Sequence, residues 1–490
     1  MTPPKVGARA ACLLGLVLIL QAVAASQEDE AVSLPPELAP YRESTRKILE
    51  ESLRRGQAYE NLRELCRRAP GRLSGSPSAA LAVEWAKATM EAGGLENVRL
   101  EPVLVPQWRR GKVARLRVVK PESASGTLLP VCALGGSVPT APGGTRAAIV
   151  EAKSLGDLRR IGEEAKGKIV FLNQPMDPAL LQTFQAYGGA VSCRVSGAVE
   201  AARLGALAVV IRSVASNLDD HPHTGAMRYA DDVTKIPAGA VSTLGADRLA
   251  ALIAAGEPVE VEFELDSSWH DDVPSSNVIG EIKGREKPEE VVVVGGHLDS
   301  WDLGEGAHDD GAGCVQSIEV PRLLLALGLR PRRTIRCVLF MNEENGLRGG
   351  RAYAETHAAE LDRHVFAIES DRGGFTPRGF SSDADPETIT RLRAIARLLG
   401  NAGADRVWAG EGGADISPLS RARIPLMGFV PDCHRYFDLH HSAADRFDSV
   451  NERELELGAA CITVMAQVIA DLETPLPRNR PRGGSGDKNR

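Results

Sequence analysis

Three apolar runs in this chain each end in a cluster of groups that can carry charge. Val291-Val292-Val293-Val294 leads into Gly295-Gly296-His297-Leu298-Asp299-Ser300. Residues 334–341 lead into Asn342-Glu343-Glu344, and residues 365–368 into Glu369-Ser370-Asp371. Two more clusters follow the first strand and close the region: Asp309-Asp310-Gly311-Ala312-Gly313 and His440-His441-Ser442. Singly, each has an ordinary structural explanation. An Asp pair before a helix can be a cap, and a lone His is usually hydrogen-bonded or exposed. Five clusters, three of them at strand ends, are harder to explain that way. Gathering several carboxylates is costly unless a cation neutralises them. Imidazole nitrogens with carboxylate oxygens, and no thiolates nearby, suit zinc.

The elements that must position these groups are legible from periodicity. A β-branched run without polar alternation marks a strand buried on both faces. Helical stretches over 312–327 (with Pro321 as a kink), 348–359 and 386–399 separate or follow these strands. This alternation predicts an α/β fold, a doubly wound, mainly parallel sheet with helices on both faces. Ligands of such sheets bind beyond the carboxyl ends of the strands, so the charged clusters should converge on one edge.

Upstream, helices are expected over 37–53 and 77–92, the second stopped by Gly93-Gly94, then a strand over 98–105. From about residue 109 to 272 the style changes. Short β-type runs at 168–172, 208–211 and 259–265 are separated by Gly- and Pro-rich turns, with one helix at 198–204. This predicts a smaller, inserted β-rich domain. The expected organisation is a signal segment over 1–26, catalytic segments over 27–108 and 273–476, the insert over 109–272, and a disordered tail over 477–490.

At 490 residues the chain exceeds one ordinary core, and 43% hydrophobic with 25% charged residues describes a globular protein. A net charge of −7 offers no basic surface for nucleic acid. Lys5 and Arg9 precede an apolar run over 10–25, and Ala22-Val23-Ala24 supplies small residues for signal cleavage. The expectation is export, to a secreted or periplasmic location, with no membrane span after processing. Seven of the eight cysteines remain once Cys12 is removed with the signal, so a monomer keeps at least one free thiol. Cys337, in an apolar run, reads as a buried one.

The string from His297 to Gly304, Asp309-Asp310-Gly311-Ala312-Gly313, Asn342-Glu343-Glu344, Glu369-Ser370-Asp371 and His440-His441-Ser442 together resemble the co-catalytic zinc aminopeptidase and glutamate carboxypeptidase family. Arg212-Ser213-Val214-Ala215-Ser216 and Pro222-His223-Thr224-Gly225 resemble a protease-associated domain in the insert. The resemblance implies two Zn2+ per chain bridged by Asp309. His297 and Asp371 would complete one site, Glu344 and His441 the other. It further implies that Asp299 orients the His297 imidazole and that Glu343 is the general base. A cis peptide between Asp309 and Asp310 and a homodimer are implied too.

The implied substrates are short unblocked peptides, dipeptides above all. An exopeptidase that reads a free amine needs an acid for it, and Glu305 and Asp415 are the candidates outside the ligand set. Chemistry alone leaves open which of His440 and His441 binds metal; the family pattern favours His441, directly before Ser442. His440 stands where glutamate-specific relatives carry an aromatic residue, and no arginine clamp for an acidic side chain is evident. The alternatives are an aminopeptidase on longer peptides, a single-zinc acyltransferase of the glutaminyl cyclase type, and a non-catalytic relative. The complete ligand set argues against the last two.

Overall fold

The computed structural model describes residues 34–481. The expected signal segment and the last nine residues of the tail lie outside the described residues. Residues 34–40 form a unit of their own with a 3-10 turn at Pro36–Leu38. The remainder holds two eight-stranded sheets. Among the described residues, no helix is long and apolar enough to cross a membrane, and all seven cysteines are unpaired. Cys337 is buried, as its apolar context implied.

The chain enters the first sheet on β1 (Glu96–Arg109) and leaves it at once for the second. That second sheet takes its strands from β2 (Ala114–Lys120), β3 (Leu128–Leu129), β4 (Val131–Ala133), β5 (Thr145–Ala152), β6 (Ile169–Leu172), β7 (Ala208–Arg212), β8 (Ala238–Val241) and β9 (Glu260–Leu265). The chain returns on β10 (Ser268–Ile282), which pairs antiparallel with β1. The outgoing and returning strands therefore lie side by side. The first sheet is completed by β11 (Lys287–His297), β12 (Arg333–Phe340), β13 (His364–Glu369), β14 (Pro377–Ser382), β15 (Arg406–Ala409) and β16 (Leu426–Pro431).

The order of the first sheet is β1-β10-β12-β11-β13-β16-β14-β15. Its centre, β12-β11-β13-β16, is parallel, and antiparallel pairs flank it on both sides. The sheet is thus mixed, and the expected parallel pairing holds for the three strands whose ends carry the charged clusters, with β16 beside them and a separate parallel pair, β14-β15, at the far edge. Val291 and Val293 pack with Phe340 and Tyr353 of the helix Arg348–Thr356. Val292 and Val294 point the other way by strand alternation, toward the side covered by helices Ala312–Ala326 and Glu452–Asp471. Both faces are covered, which is why these strands show no polar alternation.

The region between β1 and β10 is not the β-rich module expected. Three helices, Leu155–Ile161, Thr183–Arg203 and Thr243–Ala254, flank its sheet, whose own centre β5-β6-β7-β8 is parallel. The longest was anticipated only over its last few residues. Its sequence contains Gly188, Gly189 and Gly197, poor helix formers that hide the helical signal. Gly197 is there for packing. A Cβ at that position would come within 2.6 Å of Leu172 Cδ1, so the missing side chain lets the helix lie close on β6.

The described end of the tail also departs from expectation. Arg478 donates to the carbonyls of Leu361 (2.6 Å) and His364 (3.1 Å), and Asn479 bonds the Asp383 side chain. Residues 478 and 479 are therefore tied down by donors that a composition argument does not see.

Candidate metal centre

Strand register aligns the first three clusters. His297, the last residue of β11, pairs with Phe340, the last of β12; Gly295 pairs with Glu369, the last of β13. The segments that follow, from Asn342, Asp371 and Asp299, therefore emerge at one carboxyl edge. The chain is crowded here. A Cβ on Gly296 would lie 2.3 Å from Asp310 Oδ2 and 2.9 Å from the Ser370 carbonyl. Only glycine leaves room for the Asp310 carboxylate to accept the His297 N–H at 3.0 Å.

Asp309 lies at the centre, and its Asp309–Asp310 peptide is cis. Its Oδ1 is 3.3 Å from His297 Nε2, which is also 3.3 Å from Asp371 Oδ1. Its Oδ2 is 3.1 Å from His441 Nε2, which is also 3.1 Å from Glu344 Oε2. All five expected ligand residues are thus brought together, in two groups that share one carboxylate. His440 Nε2 is farther from Asp309 Oδ2, at 3.7 Å, and its ring stacks on His441.

The structure assigns Asp299 a different way of orienting His297 from the one expected. The imidazole Nδ1 is 2.9 Å from the Asp299 backbone carbonyl and 3.9 Å from its carboxylate. With Nδ1 donating to that carbonyl, the Nε2 lone pair is left for the cluster. The Asp299 carboxylate instead accepts the backbone N–H groups of Asn342 (2.7 Å) and Glu343 (3.0 Å). It therefore fixes the turn that presents Glu343 and Glu344. Asn342 holds φ 77° and His441 φ 63°. Such left-handed conformations cost about 1–3 kcal/mol at a non-glycine residue and are kept where surrounding contacts enforce them.

Several supporting residues carried no recognisable sequence signal. Asp445 accepts the N–H of His308 on one oxygen (2.7 Å) and of Asp309 on the other (3.1 Å). It lies only four residues past His441, yet nothing in that spacing reveals its partners. Trp301 donates its backbone N–H to Glu344 Oε1 and packs edge-on to His441. From the second-sheet region, the Thr224 carbonyl lies 3.3 Å from His441 Nδ1, and Arg194 approaches the same nitrogen at 3.5 Å. Of the two acids considered for a substrate amine, Glu305 accepts the Phe447 N–H. Asp415 is buried with both oxygens unpartnered.

The electrostatics test whether a cation fits. Burial opposes charge on His297, but Asp371 and Asp309 outweigh it and hold the imidazole well above its usual range. Burial, with Asp309 alongside, pushes Glu344 up to about 7. Burial, then the carboxylates of Asp371, Glu344 and Asp299, push Glu343 well up. Without a cation the cluster must hold extra protons to stay buried. Asp309 Oδ2 has no hydrogen-bond partner although His441 Nε2 is 3.1 Å away, so the two atoms meet without donor–acceptor geometry. Nitrogen and oxygen donors that face one another this way fit divalent metal, and zinc accepts this donor set. Glu343 makes no side-chain hydrogen bond and remains half-buried beside the cluster.

Residues 277–466 match Peptidase family M28. Carboxypeptidase Q of Mus musculus is 35% identical over 446 residues, covering 90% of this chain and 92% of the mouse protein. The chain belongs to peptidase family M28. This M28 peptidase is a metallo-exopeptidase. The crystal structure of the Peptidase M28 precursor from Shewanella amazonensis SB2B is similar at a TM-score of 0.85 and 34% identity, covering 90% of this chain and 99% of that one. A zinc aminopeptidase from Bacillus subtilis shares the fold at a TM-score of 0.63 and 20% identity, over 87% of this chain and 98% of its own.

Proposed function

We propose that this M28 peptidase is a di-zinc exopeptidase that cleaves short, unblocked peptides, dipeptides above all, with Glu343 handling the proton of the attacking water. The observation that carries the reading is Asp309, whose two oxygens each face a different histidine at 3.3 and 3.1 Å. One zinc would be held by His297, Asp371 and Asp309, the other by Glu344, His441 and Asp309. Two donor groups that share the Asp309 carboxylate also weigh against a single-zinc acyltransferase. The chemistry bound zinc supplies is Lewis acidity, which makes water a better acid and stabilises negative charge on a carbonyl oxygen.

Glu343 adjoins the ligand Glu344 yet has no protein partner, as a proton acceptor must. Its carboxylate takes a proton from water as the water oxygen bonds to the scissile carbonyl carbon. It returns that proton to the amide nitrogen as the carbon–nitrogen bond breaks, leaving a free acid and a free amine. The Asp299 carboxylate keeps Glu343 in place through the backbone bonds described above. The same reading includes export by the segment before residue 27, a homodimer, and a protease-associated role for the region over 109–272. The contact of the Thr224 carbonyl with His441 supports that last part.

The test is zinc content together with hydrolysis of alanyl-leucine and N-acetyl-alanyl-leucine. Two zinc ions per chain, turnover of the free dipeptide and weak turnover of the acetylated one are expected. One zinc with no hydrolysis, or equal kcat/KM for the two peptides, would refute the reading.

A further inference from the structure

Beside the metal cluster lies a cavity of about 470 Å³ whose walls include Phe184, Asp371, Arg372, Glu411, Ser417 and Phe429. A volume in this range suits a small ligand. Asp371 lies in both the cavity wall and the cluster, and among the described residues Arg372 is the only basic one in that wall. The acids of the wall are mostly engaged. Glu369 accepts the backbone N–H groups of Ala414 and Ile416, and Asp383 accepts that of Leu426. Glu411 is exposed.

Arg372 is half-buried, yet among the described residues its guanidinium has no carboxylate partner and no hydrogen bond. The ring of Phe184 lies 5.0 Å from the guanidinium carbon. Phe184 is itself held by Tyr436 and Phe437, with ring centroids 5.5 and 4.8 Å away. Arg194 is turned to the Tyr187 hydroxyl and His441 Nδ1, and two further arginines near the cluster are fully engaged. Arg72 donates to the carbonyls of Leu298, Glu305 and Gly306, and Arg110 pairs with Asp302. A guanidinium braced by an aromatic ring keeps its forked N–H edge available, and that edge matches a carboxylate.

We propose that Arg372 binds the C-terminal carboxylate of the substrate and that this cavity takes the residue on the leaving side of the scissile bond. Asp371 and Arg372 are chain neighbours, with Cα atoms ~3.8 Å apart, and both face the cavity. A ligand in the cavity can therefore meet the Arg372 side chain and the Asp371 side of the cluster together. Longer peptides place an uncharged amide there and leave the cation unpaired. The inference rests on the exopeptidase reading and narrows it, making the free carboxylate a requirement.

The experiment compares alanyl-leucine with alanyl-leucinamide on zinc-loaded wild type, Arg372→Ala and Arg372→Lys, and measures binding of leucine and leucinamide by calorimetry. Charge-assisted hydrogen bonds of this kind correspond to about 10- to 100-fold. Wild type should prefer the acid over the amide by that factor in kcat/KM, chiefly through KM. Arg372→Ala should bring the acid down to the level of the amide, and Arg372→Lys should fall between. Leucine should bind wild type in preference to leucinamide, and that preference should vanish in Arg372→Ala. An unchanged acid-to-amide ratio in an Arg372→Ala enzyme with normal zinc and Tm would overturn the proposal, as would equal loss on both substrates. If wild type cleaves neither dipeptide, the exopeptidase reading fails, and leucine binding alone then decides the role of Arg372.

Discussion

The two sheets are built alike, each of eight strands with four parallel strands at the centre, yet among the described residues the buried carboxylate oxygens without partners gather at one edge alone. At the ends of β6, β7 and β8 lie Asn173, Arg212, Ser213 and Ser242, polar residues in the same topological position as the metal-centre residues. There they satisfy one another. Arg212 bonds Asp247 (2.6 Å) and Asn173 (3.3 Å), and Ser213 Oγ accepts the His223 N–H and donates to the Val241 carbonyl. Ser242 caps the helix that follows, accepting from Gly245. At the edge of the first sheet, Asp309, Asp299 and Asp415 keep buried oxygens without partners. Position at a strand end is therefore shared by structure and chemistry. What separates them is whether the polar groups complete each other or leave something to be supplied.

The comparison is broken most severely by removing the shared carboxylate. Asp309→Ala should lower zinc from two per chain toward none, whereas His297→Ala should mainly empty one site. Metal analysis of the purified variants checks this, and full occupancy in Asp309→Ala would end the bridging assignment. Next comes Glu343→Gln, which keeps shape but loses the proton acceptor. It should fold and retain zinc while kcat falls about 100- to 10,000-fold. A wild-type kcat would put the proton transfer on another group.

The smallest effect belongs to the completed edge. Ser213→Ala strands the His223 N–H in the interior, at a cost of about 1–3 kcal/mol, while the Val241 carbonyl keeps the backbone N–H of residue 213. That should appear as a lowered Tm with unchanged zinc content and little change in kcat/KM. A large catalytic loss with unaltered Tm would mean that the second sheet is coupled to the reaction more tightly than the contacts of Arg194, His223 and Thr224 with His440 and His441 imply.

Much of the centre was legible because strand identity and strand ends are local properties. The β-branched run at 291–294 needs no distant partner to be read as a doubly buried strand, and His297 follows it directly. The helix Thr183–Arg203 was mostly missed because its glycines serve packing on Leu172, a contact absent from helical periodicity. One antiparallel flank of the first sheet was missed for a related reason. It arises from the excursion between β1 and β10, which pairs residues as far apart as Glu96 and Glu281.

By itself the sequence determined which side chains could coordinate metal, that three of their clusters would follow buried strands, and that Glu343 stands next to Glu344, one of those candidates. Only the tertiary structure decided how each is held. The carbonyl of Asp299 rather than its carboxylate meets His297, Asp445 clamps the backbone of Asp309, and Thr224 reaches His441 from 217 residues away. It also decided that, among the described residues, Arg372 has no anion of its own. Whether a polar group is satisfied depends on every neighbour that folding brings within about 3 Å. A residue type states what a group can do, and its neighbours determine what is left for it to do.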